Sequence, residues 1–410
     1  MTPLRCLWVT RLVPYPPFIG GDATYSARLI ESLVMAGVEL TVLCHDNGVM
    51  PPTVGGVGWV LVPYQERGRA RSLFGRRPAL VHRFSTPQIR DALDALLRKR
   101  SWDALLIDNI AVAGALHMRR RARGCDRPTR LVYVSHNHEE TIRKQLAATA
   151  TRRSPKHIAL RWDAAKTAAI ERALVDAADL VTVNTEHDAD LYRQHARDQR
   201  YLVLTPGYDG PGVGGRLIEA ETPRRITLLG SYAWVAKQLN LWRFLDAGAE
   251  SLARAGIGID IVGWTPDAFA GRLRASFPGV EVTGPVDRVE PYLARARMGI
   301  VAEEVGGGFK HKVLHYVFNR LPVASLAGSV AGTPLVAGES MLEYPDIRGL
   351  VEGVIETIDD LARLNELQEA ALLACNGKFE WADRGSALAE RLWVLRSEEI
   401  ALGRASRRGQ

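Results

Sequence analysis

Cysteine is scarce: Cys6, Cys44, Cys125 and Cys375 are scattered through 410 residues with no Cys-x-x-Cys pair. That spacing excludes a disulfide framework and a cysteine zinc site, and it suits a reducing compartment. Long apolar runs are missing as well. No stretch reaches the roughly eighteen uncharged apolar residues of a membrane-spanning helix. The apolar N-terminal stretch, broken by Arg5 and Arg11, is too short for the core of a signal peptide. Aromatic residues make up 7% of the chain, and few of them (Phe74, Phe84) lie near its arginine clusters, which speaks against a nucleic-acid surface. No short-period repeat is visible.

What is present is globular. Hydrophobic residues make up 47% and charged residues 24%, which excludes a disordered or fibrous chain. At roughly 150 residues per domain, the length implies two or three domains. Charge is uneven. Through Thr205 there are 30 Lys and Arg against 20 Asp and Glu, and the remainder has 23 against 26, so the net +7 arises in the first half. Arg67, Arg69, Arg71, Arg76 and Arg77 form one cluster; Arg119, Arg120, Arg121 and Arg123 form another. Such a field suits a phosphorylated ligand, an anionic lipid surface or a nucleic acid; the other reading is arginine on solvated faces. A cytoplasmic protein is expected, peripheral at the inner face of the plasma membrane where the basic half meets lipid.

Alternating short apolar runs and 3.6-period segments predict two successive βα arrays. The first has strands at 4–13, 38–44, 58–63, 104–108, 131–135, 180–184 and 201–205, with helices at 23–36, 87–99, 159–177 and 186–195. The Gly-rich stretch 207–223 closes it and reads as a linker, because no helical pattern opens directly behind it. The second has strands at 225–230, 258–263, 280–283, 298–302 and 323–325, with helices at 240–255, 266–276, 289–295, 310–318, 350–374 and 383–397. This α/β pattern implies two Rossmann-like domains facing across a cleft, at 1–208 and 225–380, with the linker at 209–224 and a disordered tail at 403–410.

Chemistry concentrates in Glu303-Glu304-Val305-Gly306-Gly307-Gly308-Phe309-Lys310-His311-Lys312-Val313-Leu314-His315, followed by Pro322-Val323-Ala324. Glycines between a strand end and a helix start bare backbone N–H groups, and the helix dipole adds positive potential. That is an anion site within reach of Lys312. His315 lies three residues on, along the same helix face. The segment resembles the donor-binding signature of family 4 glycosyltransferases of the GT-B fold, G-x-G-[IF]-x-x-K-x-x-E followed by P-V-V-A. It matches at Gly306, Gly308, Phe309, Lys312 and Pro322-Val323-Ala324, with glycine at Gly307 as in one subgroup. It departs at His315, where the family has a glutamate for the ribose hydroxyls; a neutral imidazole accepts one such bond, not two.

The resemblance runs along nearly the whole chain. Pro14-Tyr15-Pro16-Pro17-Phe18-Ile19-Gly20-Gly21 is similar to P-x-P-P-x-x-G-G, whose glycines let the backbone approach the donor phosphates and the acceptor; Asp22 follows them. Tyr133-Val134-Ser135-His136-Asn137 resembles the strand end that faces a histidine, here His136, toward the reacting sugar. His136 and His138 alternate ahead of Glu139 and Glu140, so a metal site and a structural histidine stay open as other readings. Thr205-Pro206-Gly207-Tyr208-Asp209 looks like P-N-G-x-D without the asparagine, and Asp209 either lines the cleft or forms a turn. Leu228-Leu229-Gly230-Ser231-Tyr232 through Lys237 is similar to the opening of the family's second domain, where an arginine and a lysine hold the donor pyrophosphate. Lys237 keeps the lysine, and Ser231 stands in place of the arginine. Lys237 and Lys312 would then form the whole phosphate clamp. Glu303 and Glu304 either contact sugar hydroxyls or end a solvated strand.

The resemblance implies a GT-B enzyme whose C-terminal helix, 381–402, crosses back to the first domain. It implies retaining, metal-independent transfer without a cofactor, from a UDP-, GDP- or dTDP-sugar to an acceptor held by the basic first domain. That acceptor would be a glycan, lipid-linked or secondary-metabolite hydroxyl, as in polysaccharide biosynthesis. Lys237, Lys312 and backbone N–H groups would stabilise the leaving group, and His136 would orient the sugar or the acceptor. Two rivals rest on particular residues. One is an inactive nucleotide-sugar-binding scaffold, from His315 and Ser231; the other is a glycosyltransferase acting on nucleic acid, from the basic first half.

Overall fold

The structure is a computed structural model that describes residues 3–16, 20–65, 67–68, 70–121 and 129–408. Pro17, Phe18 and Ile19 of the first loop, Arg69, Arg123 and Cys125 lie outside the described residues, as do the side chains of Arg119, Arg120 and Arg121. The chain forms two compact units, Met1–Gly207 with Glu380–Gln410, and Tyr208–Phe379.

The first unit carries β1 (Arg5–Leu12), β2 (Glu39–Asp46), β3 (Val57–Pro63), β4 (Ala104–Asp108), β5 (Arg130–Val134), β6 (Leu180–Val183) and β7 (Tyr201–Val203). Among the described residues they pair in parallel in the order β3-β2-β1-β4-β5-β6-β7. Alternation along β1 explains its near-continuous apolar sequence. Leu7 and Val9 enter one hydrophobic core, while Cys6 and Trp8 enter a second on the opposite face. Cys6, Cys44 and Cys375 are unpaired and buried.

The second unit carries β8 (Arg225–Leu229), β9 (Gly258–Val262), β10 (Val280–Gly284), β11 (Met298–Val301), β12 (Val323–Leu326) and β13 (Leu342–Tyr344). Their order is β10-β9-β8-β11-β12-β13, again parallel among the described residues. The expected linker at 209–224 belongs to this unit. Ile218 is buried with Ile226 and Leu364, and its backbone N–H and C=O both bond the Asn365 amide at 2.9 Å. Arg216 donates to the carbonyls of Ala294, Asn319 and Arg320. Glycines set the local flexibility there, but tertiary burial decides where the segment lies. The single helix expected over 350–374 is two, Ile347–Thr357 and Leu361–Cys375, because the Asp360 carboxylate caps the second by accepting from Arg363 N at 3.0 Å.

The last helix, Trp381–Arg408, packs into the first unit, placing Leu388, Leu392 and Leu395 with Leu29 and Leu33 of the helix Gly21–Met35. It continues through residues 403–408, where a disordered tail was expected; Gly409 and Gln410 lie outside the described residues. Among the described residues no helix is long and apolar enough to cross a membrane.

The contact between these two helices has a steric test. A Cβ at Gly385 would stand 2.2 Å from the Ser32 carbonyl oxygen, so Gly385→Ala must push backbone aside. A loss of about 1–3 kcal/mol is expected in urea denaturation. Gly271→Ala, on the helix Asp267–Ser276 with nothing within 4 Å, should be neutral or stabilising in the same assay.

Candidate functional site

Ligand sites on parallel sheets form beyond the carboxyl ends of the strands, where strand order reverses. In the second unit the reversal falls between β8 and β11. Beyond β11 the chain passes through Glu303 and the three glycines to the helix His311–Phe318. Gly306 and Gly308 hold φ of 149° and 63°, a backbone that other residues rarely adopt. Asn240, buried on the helix Val235–Arg254, pins the loop twice. Its amide donates to Val305 O at 2.7 Å, and its carbonyl accepts from Val305 N at 3.0 Å. Phe309 anchors the far side in the core against Phe379. No side chain caps the helix that follows, so its first N–H groups remain for the loop or a ligand.

Within this frame one carboxylate gathers cations. Glu303 Oε1 lies 2.6 Å from Lys312 Nζ, and Oε2 lies 3.4 Å from Lys310 Nζ. Lys310 also donates to Gly307 O at 2.6 Å. All three side chains are 8% to 12% exposed. Burial pushes the Glu303 carboxyl up, but Lys312, Lys310 and Lys237 outweigh it and hold the group well below the usual carboxylate range. Lys237 acts from the first turn of the helix Val235–Arg254, which starts five residues before the expected 240. A Cβ at Gly230 would stand 3.9 Å from the Lys312 ammonium, so the end of β8 borders the group, with half-buried Ser231 next in sequence. The expected pair of lysines is thus a trio, and Lys312 has a carboxylate partner that the sequence reading did not give it. An ammonium so nearly buried needs a counter-charge. Glu304 stands apart, in a solvated ion pair with Arg243 at 2.9 Å.

His315 follows one turn beyond Lys312. Burial lowers its pKa, with Glu290 and Asp209 partly offsetting, so the ring is neutral at pH 7. Its Nδ1 is buried without a hydrogen-bond partner, and the ring meets Tyr208 edge-on at 5.2 Å. Asp209 lies in this second unit, exposed, and acts on His315 through its charge. Lysines gathered about one carboxylate stand beside a glycine loop and a helix N-terminus. Such an arrangement can meet an anion.

In the first unit the strand order reverses between β1 and β4. His136, beyond β5, has Nε2 2.6 Å from Asp108 Oδ1 at the end of β4, with both side chains almost fully buried. Trp8 Nε1 donates to the other Asp108 oxygen at 3.1 Å, and Tyr25 meets the imidazole edge-on. The ring is therefore held by a buried carboxylate. His138 is spent on structure: it caps the helix Glu139–Ala148 and lies 2.7 Å from Thr141 Oγ1. Glu140 is bonded to Lys144 and Arg172. Gly20 precedes the helix Gly21–Met35, and Asp22 pairs with Arg11 and accepts from Ala23 N at 3.0 Å.

Three residues escaped sequence reasoning. Lys310 carried a local signal, being a second lysine in the glycine segment. Asn240 and Asp108 carried none, because each acts across a long separation in sequence.

Residues 20–207 match a family model described as "Glycosyl transferase 4-like domain". No curated protein matches by sequence. Among solved structures, sucrose-phosphate synthase from Thermosynechococcus elongatus superposes with a TM-score of 0.72 at 15% identity, covering 96% of this chain and 100% of that one. WaaG, a glycosyltransferase involved in lipopolysaccharide biosynthesis, gives 0.64 at 14%, covering 94% and 99%. Anabaena HepE in complex with UDP and glucose gives 0.63 at 12%, covering 95% and 99%. These likenesses show the GT-B glycosyltransferase fold.

The turn carrying His136 rests on Glu171, whose carboxylate accepts from Glu139 N at 2.9 Å and Glu140 N at 2.8 Å and lies 2.8 Å from the Tyr192 hydroxyl. Burial, then the Glu139 charge, push Glu171 up to about 8 against those bonds. The folded protein therefore keeps a proton that the unfolded chain has lost, and stability falls as pH rises toward 8. The unfolding midpoint should drop between pH 6.5 and 8.5. Glu171→Gln should flatten that slope, whatever its effect on the midpoint itself; an unchanged slope would contradict the assignment.

Proposed function

Starting from a chain that carries a glycosyl transferase 4-like domain on the GT-B glycosyltransferase fold, we propose that this protein transfers a sugar from a nucleoside diphosphate donor to an acceptor hydroxyl. The observation that carries the proposal is the Glu303 carboxylate set among Lys312, Lys310 and Lys237 at the glycine loop. In the reaction, the bond between the anomeric carbon and the diphosphate oxygen breaks, and the electron pair leaves with the nucleoside diphosphate. The three ammonium groups and the N-terminus of the helix His311–Phe318 stabilise that charge, so the reaction is proposed to need no metal. The acceptor oxygen bonds the anomeric carbon from the same face, with retention, and its proton passes to the leaving phosphate. His136, fixed by Asp108, orients the sugar or the acceptor. His315 supplies one acceptor nitrogen for the ribose.

UDP-sugars are the first donors to test, since HepE was captured with UDP and glucose. The basic excess of the first half supports an anionic or lipid-linked acceptor at a membrane face, a setting in keeping with the lipopolysaccharide role of WaaG.

A thermal-shift and hydrolysis screen across UDP-, GDP- and dTDP-sugars tests the reading. Lys312→Ala should weaken binding of the selected nucleoside diphosphate about tenfold to a hundredfold. Glu303→Gln should also weaken that binding and lower turnover, because it removes the anion that holds Lys312 and Lys310 in place at the loop. Undiminished binding by Lys312→Ala rejects the proposal. Donor binding with neither hydrolysis nor transfer favours a scaffold without activity. Anomeric configuration of the product by NMR decides retention.

A further inference from the structure

Away from the donor loop, the first unit leaves four large apolar side chains in solvent. Phe74 is 95% exposed and Leu73 44%, at the end of the helix Ala70–Phe74. Ile158 and Trp162, on the helix Pro155–Ala177, are each 60% exposed. Scattered singly, such residues need no explanation. These are joined. Ile158, Trp162 and Lys166 recur every four residues down one stripe of the long helix. The Lys166 ammonium stands 5.4 Å from the Trp162 ring centroid and donates to the carbonyls of Ser72 at 2.8 Å and Leu73 at 3.2 Å. The stripe therefore runs onto the short helix that presents Leu73 and Phe74.

The flanking sequence is basic. Arg71, Arg76 and Arg77 are exposed next to Leu73 and Phe74 in the chain, and Arg152, Arg153, Lys156 and Arg161 are exposed along the segment that carries Ile158 and Trp162. Asp163 is the one carboxylate in residues 70–83 and 150–168, and it accepts from Ala79 N at 2.7 Å. Burial, then the charges of Arg67, Arg77 and Arg71, lower the His82 pKa, so these guanidinium groups gather around His82.

We propose that this surface docks the protein on an anionic lipid bilayer, with Leu73, Phe74, Ile158 and Trp162 entering the headgroup boundary and the arginines facing lipid phosphates. Exposed aromatic and aliphatic groups flanked by cations suit that boundary, where an apolar phase and negative charge meet. A nucleic acid offers stacking partners for Phe74 and Trp162 but no apolar phase for Leu73 and Ile158. A second copy would bring two basic surfaces together. The inference deepens the membrane placement proposed above and rests on it, but not on the donor chemistry.

The test uses the full chain and flotation with phosphatidylglycerol–phosphatidylcholine vesicles or with phosphatidylcholine alone. Binding to the anionic vesicles should be at least tenfold tighter and should weaken in 0.5 M salt. The double variant Phe74→Ser with Trp162→Ser, and separately Arg71→Glu with Arg76→Glu, should each lose at least tenfold. Both should keep the wild-type thermal shift with UDP, which reports an intact second unit. Vesicles with brominated acyl chains should quench the wild type more than Trp162→Phe. Absent or equal binding across these proteins overturns the proposal. So does self-association that the first double variant abolishes, or duplex DNA binding tighter than vesicle binding. Vesicle binding with the expected losses, but no UDP shift in any protein, would refute the donor reading and leave the docking surface standing.

Discussion

A single carboxylate makes the cationic loop of the second unit possible. Lys310 and Lys312 are nearly as buried as Glu303 itself, and ammonium groups so poorly hydrated would repel one another without a nearby anion. Glu303 supplies that anion from the end of β11, a position set by parallel pairing with β8 and β12. Asn240 and Phe309 then fix the loop from opposite sides. The result is a charge distribution held ready before any ligand arrives, which is the condition for electrostatic stabilisation without reorganisation.

The first unit buries two acidic side chains and satisfies them with hydrogen-bond donors instead. Asp108 is fully buried and shares its two oxygens between His136 and Trp8. Glu171 is nearly as deep, and its oxygens take the first N–H groups of the helix Glu139–Ala148, where a helix dipole favours an acceptor. Asp108 bonds His136 directly, while Glu171 holds Glu139 and Glu140 just beyond the turn and the Tyr192 hydroxyl, which in turn meets Ser135 and Asn137. A side chain so held loses little entropy when it meets a substrate.

The strands were readable in the sequence because both faces of each sheet are covered. Runs such as Leu105-Leu106-Ile107 can be nothing but interior. The glycine loop and Lys312 were readable because an anion site built on one strand, one loop and one helix is local. What escaped was long-range. The 209–224 segment looked like a linker by its glycines, yet Ile218 is core because Leu364 and Asn365 reach it from more than 140 positions away. The three-residue strand β13 carries too little pattern to see. Asp108 read as the last residue of a strand, and only the fold brings β5 beside β4 so that its carboxylate meets His136.

The same electrostatics bear on the two departures from the resembled signature. A glutamate at position 315 would join Asp209 and Glu290, which already act on that position, as a third negative charge in a half-buried place. An imidazole kept neutral by burial retains an acceptor nitrogen without adding that repulsion. Ser231 removes a cation, but Lys310 brings one beside Glu303 from the loop. On the proposed reading the two replacements therefore leave the positive charge facing the diphosphate in place. What changes is its form, from a planar guanidinium fork to separate ammonium points, which trades bidentate geometry for freedom to share each lysine between Glu303 and the leaving group.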